Sequence, residues 1–167
     1  MNIENKKFIG KSVLGLAGFI AGYEGIVNTT YIDPVGVPTI CAGHTGEHAT
    51  KGNKMTNEQC LALLDKEAGE FKDYMVQNAI RQPMAPEHVI AFTSFAFNVG
   101  KTGAAGSRAV REFNAGNFQE ACRAIAYAPS GAAAWSYAGG RFFKGLHNRR
   151  IGEMNMCYEG NKVLGIN

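Results

Sequence analysis

The stretch Gly22-Tyr23-Glu24-Gly25-Ile26-Val27-Asn28-Thr29-Thr30-Tyr31-Ile32-Asp33-Pro34-Val35-Gly36-Val37-Pro38-Thr39-Ile40-Cys41-Ala42-Gly43-His44-Thr45-Gly46 decides how this chain folds. Glu24 closes an apolar run, Val13-Leu14-Gly15-Leu16-Ala17-Gly18-Phe19-Ile20-Ala21-Gly22, that suits a helix. Beyond it, Thr29, Thr30, Tyr31 and Ile32 are β-branched or aromatic, and so are Val37, Thr39 and Ile40. Between these runs stand Asp33, Pro34, Val35 and Gly36, whose Pro and Gly form turns, so the pattern predicts a small antiparallel hairpin directly after a helix.

Downstream the signals are helical. Thr56-Asn57-Glu58-Gln59 is a capping box, in which the Thr56 hydroxyl accepts from the Gln59 N–H and Gln59 reaches back. Cys60, Leu64, Ala68, Phe71 and Met75 follow on one helical face. Pro86 suits a first helical turn, and Val89, Ile90, Phe92, Phe95, Ala96 and Phe97 make the helix up to Gly100 apolar on nearly every side, as a central helix must be. Phe113 and Phe118 are assigned to the same core. Further helices are predicted over Ser107 to Asn114 with a stop at Gly116, over Asn117 to Tyr127 with a cap from Asn117 and Glu120, and over Leu146 to Glu159 with a stop at Gly160. Ala128 to Gly145, rich in glycine, reads as loop with a short helical turn around Trp135.

The expected architecture is α+β within a single domain over 1–167. Residues 1–22 hold an apolar first helix or a weak export segment, 23–55 a small hairpin lobe and 56–167 a larger helical lobe. A cleft between two such lobes suits an extended substrate.

Composition narrows the function classes. A chain of 167 residues with 46% hydrophobic and 19% charged residues is long enough to bury a sizeable core, and five prolines do not suit a disordered chain. No uninterrupted apolar run reaches the roughly 18 residues of a full membrane span. Lys6, Lys7 and Lys11 ahead of the apolar run give the basic-then-apolar order of an export signal, and also suit an amphipathic first helix. The formal charge of +3 is spread along the chain, so nothing points to nucleic acid.

Glu24, Asp33 and Thr39 carry the candidate chemistry. A general acid must hold a proton, which desolvation after an apolar helix favours, whereas a carboxyl in an exposed turn stays ionised. Two carboxyls in different environments are what glycoside cleavage requires: one protonates the leaving oxygen while the other activates water or supports the cationic transition state. The Thr39 hydroxyl could fix that water.

The spacing of these three residues within Gly22-Tyr23-Glu24-Gly25, Tyr31-Ile32-Asp33-Pro34 and Pro38 to Gly46 resembles the phage lysozymes of the T4 type, glycoside hydrolase family 24. Phe97-Asn98-Val99-Gly100 is similar to the family's segment at the end of the central helix. Trp135-Ser136-Tyr137-Ala138-Gly139-Gly140 with Lys144-Gly145-Leu146 and Arg149-Arg150 is similar to the carboxy-terminal block of the lambdoid phage branch. The resemblance covers roughly residues 20 to 160. It implies a lysozyme-like two-lobed fold and an endolysin that hydrolyses the β-1,4 bond between N-acetylmuramic acid and N-acetylglucosamine in peptidoglycan, with inversion and no cofactor. Glu24 would be the acid, Asp33 would orient the attacking water, Thr39 would hold it, Arg149 would pair with Glu24, and Asn98 would contact sugar. The implied protein is a monomer that waits in the host cytoplasm and acts on the periplasmic wall, with transient inner-membrane association through its first segment. A lytic transglycosylase, which uses one glutamate, and a non-catalytic peptidoglycan-binding module are the alternatives.

The remaining motifs are weaker. His44-Thr45-Gly46-Glu47-His48 matches H-x-x-E-H, but it follows a strand and its glycines oppose a helix, so His44 is read as a hydrogen-bonded structural histidine and no metal is expected. Asn28-Thr29-Thr30 fits the glycosylation acceptor pattern, but such triplets occur often by chance. Tyr137, in a Gly-rich loop, is divided between packing and a wall for sugar stacking. The four cysteines include no CxxC pair. They are expected to join as Cys41–Cys60, tying the hairpin to the next helix, and Cys122–Cys157, joining two apolar helix faces; four reduced thiols is the competing reading.

Overall fold

In the computed structural model, residues 15–33 and 36–166 are described. Helix α1 occupies 15–24. Strands β1 (Val27–Ile32), β2 (Pro38–Cys41) and β3 (His44–Thr45) follow. The expected hairpin is therefore one strand larger: the order is β1-β2-β3, antiparallel throughout, with Tyr31 opposite Thr39 and Ile40 opposite His44. The extra strand forms because Cys41 and Gly43 take positive φ and fold the chain back at once. Of the turn residues, Pro34 and Val35 lie outside the described residues, as do Lys6, Lys7, Lys11, Val13 and Leu14 of the first segment.

Helix α2 (Asn57–Tyr74) starts at the expected capping box, with both reciprocal bonds present, and buries Cys60, Leu64 and Ala68. It continues as a π-helical turn over Met75–Ala79 that the side-chain periodicity does not reveal. Helix α3 (Pro86–Val99) is the central one, with eight buried residues, and Phe92 and Phe95 fully inside. A short α4 (Lys101–Ala105), α5 (Arg108–Asn114) capped by Ser107, and α6 (Phe118–Ala126) follow. Asn117 makes no side-chain cap on α6; its amide nitrogen donates instead to Glu112 Oε2 at 2.8 Å, a competing acceptor five residues back.

Two further expectations need correction. The loop around Trp135 contains no helical turn but a two-stranded hairpin, β4 (Tyr137–Ala138) with β5 (Arg141–Phe142), closed by Gly139 and Gly140 at positive φ. The last helix, α7, runs over Lys144–Val163 and does not stop at Gly160. That glycine meets a packing need: a Cβ there would lie 2.5 Å from His88 Cδ2, so its bare backbone lets α7 pass against α3.

The large lobe is held by a core in which Phe92, Phe95, Val110, Phe113 and Ile125 are buried together. Helix α1 is seated by a second cluster, where Leu16, Ala17 and Ile20 meet Leu64, Ala68 and Ile90. A third joins the sheet to α2 through Ile40, Cys41 and Cys60. The cysteines pair as expected. The Cys41–Cys60 disulfide lies at that junction with a Cα separation of 5.2 Å, and Cys122–Cys157 joins α6 to α7 at 5.4 Å. Among the described residues, no helix is long and apolar enough to cross a membrane.

Candidate active site

Glu24 ends α1, three residues before β1 begins, so its position follows from how α1 is seated. Its side chain is 31% exposed, a partial withdrawal from water rather than a full one. Its Oε1 accepts a hydrogen bond from Arg149 Nη1 on α7. Arg149 itself is 3% exposed, and each of its three nitrogens has an acceptor: Nη1 has Glu24, Nε donates to Glu153 Oε1 at 3.1 Å and Nη2 donates to the Ser94 carbonyl at 3.3 Å. A guanidinium held at three points offers the carboxyl a fixed direction.

Behind it lies a buried polar cluster. The fully buried Glu153 carboxylate also accepts from Ser94 Oγ at 2.7 Å and from Arg150 Nη2 at 2.9 Å, while Arg150 Nε lies 2.9 Å from its other oxygen as an ion pair without hydrogen-bond geometry. Burial pushes the Glu153 carboxyl up, against the pull of Arg150, Ser94 and Arg149. Burial likewise lowers the affinity of Arg150 for its proton, opposed by Glu153. Two guanidinium groups face one buried carboxylate, and Glu24 is the second acidic side chain that Arg149 reaches. Sequence reading missed Ser94, Arg150 and Glu153. The spacing Arg149-Arg150 to Glu153, i to i+4 and i to i+3 on one helix, is the signal that could have found them.

Asp33 and Thr39 are brought together through Val37. Asp33 N donates to the Val37 carbonyl at 3.0 Å, Val37 N donates back to Asp33 Oδ1 at 2.8 Å, and Thr39 Oγ1 donates to the same Val37 carbonyl at 3.0 Å. One residue thus fixes both side chains at the closed end of the β1–β2 hairpin. Thr39 is buried, and because its hydroxyl hydrogen is used, its oxygen retains acceptor capacity.

The other expected residues sit on separate elements. His44 is on β3, and its Nδ1 lies 2.5 Å from Glu67 Oε1 on α2, so it ties the sheet to the long helix as a structural histidine. Asn98 lies exposed in the last turn of α3. Tyr137 is 53% exposed on β4, edge-on to Phe142 with ring centroids 5.6 Å apart. Trp135, Phe142 and Phe143 are exposed in the same stretch.

His44 and His48 do not share a helix; their rings stand 5.6 Å apart on a strand and the turn after it. Among the described residues, the one cluster with metal-ligand geometry is His88 with Cys122 and Cys157, whose sulfurs are joined to each other. Asn28 is engaged structurally, its amide donating to the Met55 carbonyl at 2.9 Å and to Asn57 Oδ1 at 2.8 Å.

Comparison with known proteins places this geometry. The phage lysozyme family model matches residues 21–153, which span Glu24, the hairpin and the Arg149 cluster. The chain is 36% identical over 160 residues to a SAR-endolysin of Pseudomonas phage phiKMV, covering 93% of each chain. Among solved structures it is similar to a point mutant of P22 lysozyme, with TM-score 0.74 and 28% identity over 86% of this chain and 95% of that one. It is also similar to the muramidase domain of SpmX from Asticaccaulis excentricus, with TM-score 0.72 and 26% identity over 86% and 94%. The lysozyme-like α+β fold expected from the sequence is therefore the fold observed, and with a family match over most of its length the chain belongs to the phage lysozyme family.

Proposed function

We propose that this chain is an endolysin that hydrolyses the β-1,4 bond between N-acetylmuramic acid and N-acetylglucosamine of peptidoglycan, by the inverting route of glycoside hydrolase family 24. The observation that carries the reading is the hold of the buried Arg149 on Glu24 at the junction of α1 and α7. A carboxyl aimed by a fixed guanidinium suits a general acid: it donates its proton to the leaving sugar oxygen, and Arg149 stabilises the carboxylate left behind. Asp33 orients and activates the attacking water, and Thr39, whose hydroxyl oxygen can accept, helps to hold it. Asn98 contacts the glycan and Tyr137 offers a stacking face.

Relatives named SAR-endolysin and a neighbour named as a muramidase domain support this activity. The protein acts as a monomer on the periplasmic side after a period in the host cytoplasm, with the basic-then-apolar first segment giving transient contact with the inner membrane. Product analysis on purified peptidoglycan tests the chemistry. Hydrolysis leaves reducing N-acetylmuramic ends, a lytic transglycosylase leaves 1,6-anhydro ends, and a binding module releases nothing.

A further inference from the structure

Helix α1 lies along one face of α7. Met156 joins the cluster that seats Leu16, Ala17 and Ile20, and one and two turns earlier on the same face stand Glu153, Gly152 and Arg149. At that end of α1, the residue next to Glu24 is Tyr23. A Cβ placed on Gly152 would lie 1.7 Å from the Tyr23 hydroxyl oxygen and 2.9 Å from its Cζ. No real contact is that short, so the tyrosine hydroxyl occupies the space that any side chain at 152 would need. The Arg149 guanidinium also stands over the Tyr23 ring, 5.6 Å from its centroid, and Phe19 packs edge-on to that ring from within α1 at 5.3 Å.

We propose that Tyr23 is a positioning residue for Glu24: its hydroxyl, seated in the notch left by Gly152, fixes the end of α1 on α7 where Arg149 meets Glu24. The proposal rests on the reading of Glu24 as the acid. Leu16, Ala17 and Ile20 seat the helix through apolar contacts, which are non-directional and leave it free to slide or rotate slightly. A hydroxyl lodged beside a glycine on the neighbouring helix has one register. The aromatic face beneath Arg149 adds a second constraint, on the very guanidinium that holds the acid. Tyr23 is 38% exposed as a whole, and its partial burial, with the nearby Glu153 carboxylate, pushes its hydroxyl up. A glycine inside a helix costs roughly 1 kcal/mol against alanine, and at 152 it leaves the space that the Tyr23 hydroxyl fills.

The test compares Gly152→Ala, Tyr23→Ala and the double variant Tyr23→Phe with Gly152→Ala, using steady-state hydrolysis of purified peptidoglycan, with Glu24→Gln in parallel. Gly152→Ala should expel the Tyr23 hydroxyl and lower kcat by about 10- to 100-fold with KM within about twofold, the size of loss that misplacement of a reacting group produces. Removing the hydroxyl in the double variant relieves the worst overlap and should recover most of the lost kcat. Tyr23→Ala, which needs no extra space and so keeps the fold if Gly152→Ala does not, should lower kcat in the same way. Wild-type kcat in Tyr23→Ala, or equal loss in Gly152→Ala and the double variant, would overturn the proposal. If Glu24→Gln is inactive while Tyr23→Ala keeps full kcat, the positioning role alone fails; if Glu24→Gln is active, the assignment of the acid fails first.

Discussion

Arg149 on α7 donates to the carboxyl of Glu24 on α1, a residue 125 positions earlier in the chain. The link joins the first described helix to the last, and the guanidinium that makes it is anchored from behind by Glu153 and by the Ser94 carbonyl. The proposed catalytic geometry and the packing of the large lobe therefore share one side chain.

Removing that side chain should damage activity and also lower stability, because Arg149 is buried and paired with Glu153. Arg149→Ala is expected to lower kcat by about 10²-fold, the cost of a misplaced reacting group. Arg149→Lys should recover little, because an ammonium cannot serve three acceptors in a plane as the guanidinium does. Hydrolysis rates on purified peptidoglycan, read beside thermal midpoints, check both statements. Activity near wild type in Arg149→Ala would mean that another group aims Glu24.

Glu153→Gln should bring a large loss of stability. The amide leaves buried Arg150 without its carboxylate partner and Arg149 with Glu24 alone, and breaking a buried pair in this way costs about 3–5 kcal/mol. Urea unfolding of the variant and of wild type measures the difference. A change below about 1 kcal/mol would show that the cluster relaxes or takes up water.

Much of this was legible beforehand, and the physical range of each signal explains what was not. Thr56 and Gln59 complete their box within four residues, so the start of α2 could be read directly from sequence. Turn chemistry at Asp33 and Gly36 located the hairpin, and Ser107 located α5. Gly160 misled because its reason is His88, 72 positions away along the chain but in contact across two helices, and the local rule for glycine favours a stop. The β4–β5 hairpin was hidden by a composition that reads as loop. The partnership of Arg149 with Glu24 came from family resemblance and not from periodicity, since no local pattern spans the chain, and the anchoring role of Glu153 was not seen at all.

The Cys122–Cys157 disulfide closes the longer of the two loops, with a sequence separation of 35 against 19 for Cys41–Cys60. In the chain-entropy model its removal should cost about 4 kcal/mol, against about 3 kcal/mol for the shorter loop. Paired Cys→Ala variants followed by denaturant unfolding would show this order. The reverse order would mean that the contacts of the sheet with α2, rather than loop length, dominate.

His88 sets an expected pH dependence. Its Nδ1 accepts from the Ala85 N–H at 3.1 Å and its Nε2 faces Asn161 Oδ1 at 2.9 Å, so the ring is neutral with its proton on Nε2. Burial lowers its pKa from the ordinary histidine value. Below about 6.5 the unfolded chain takes up a proton that the folded chain refuses, so this contribution to stability is full above that pH and declines as pH falls. Thermal midpoints should drop from pH 7.5 to 5.5, and the His88 ring should titrate below the unfolded value by NMR. A His88 resonance titrating at or above about 6.5 would contradict the assignment.

The most direct test of the proposed chemistry is the rate and product of peptidoglycan cleavage by wild type and Glu24→Gln, with mass spectrometry of the released ends. Wild type should yield reducing N-acetylmuramic ends, and Glu24→Gln, folded by circular dichroism, should lose at least about 10²-fold in rate because the amide has no proton of suitable acidity to give. Rates for Glu24→Gln within about tenfold of wild type, or 1,6-anhydro ends from wild type, would contradict a hydrolase with Glu24 as its acid.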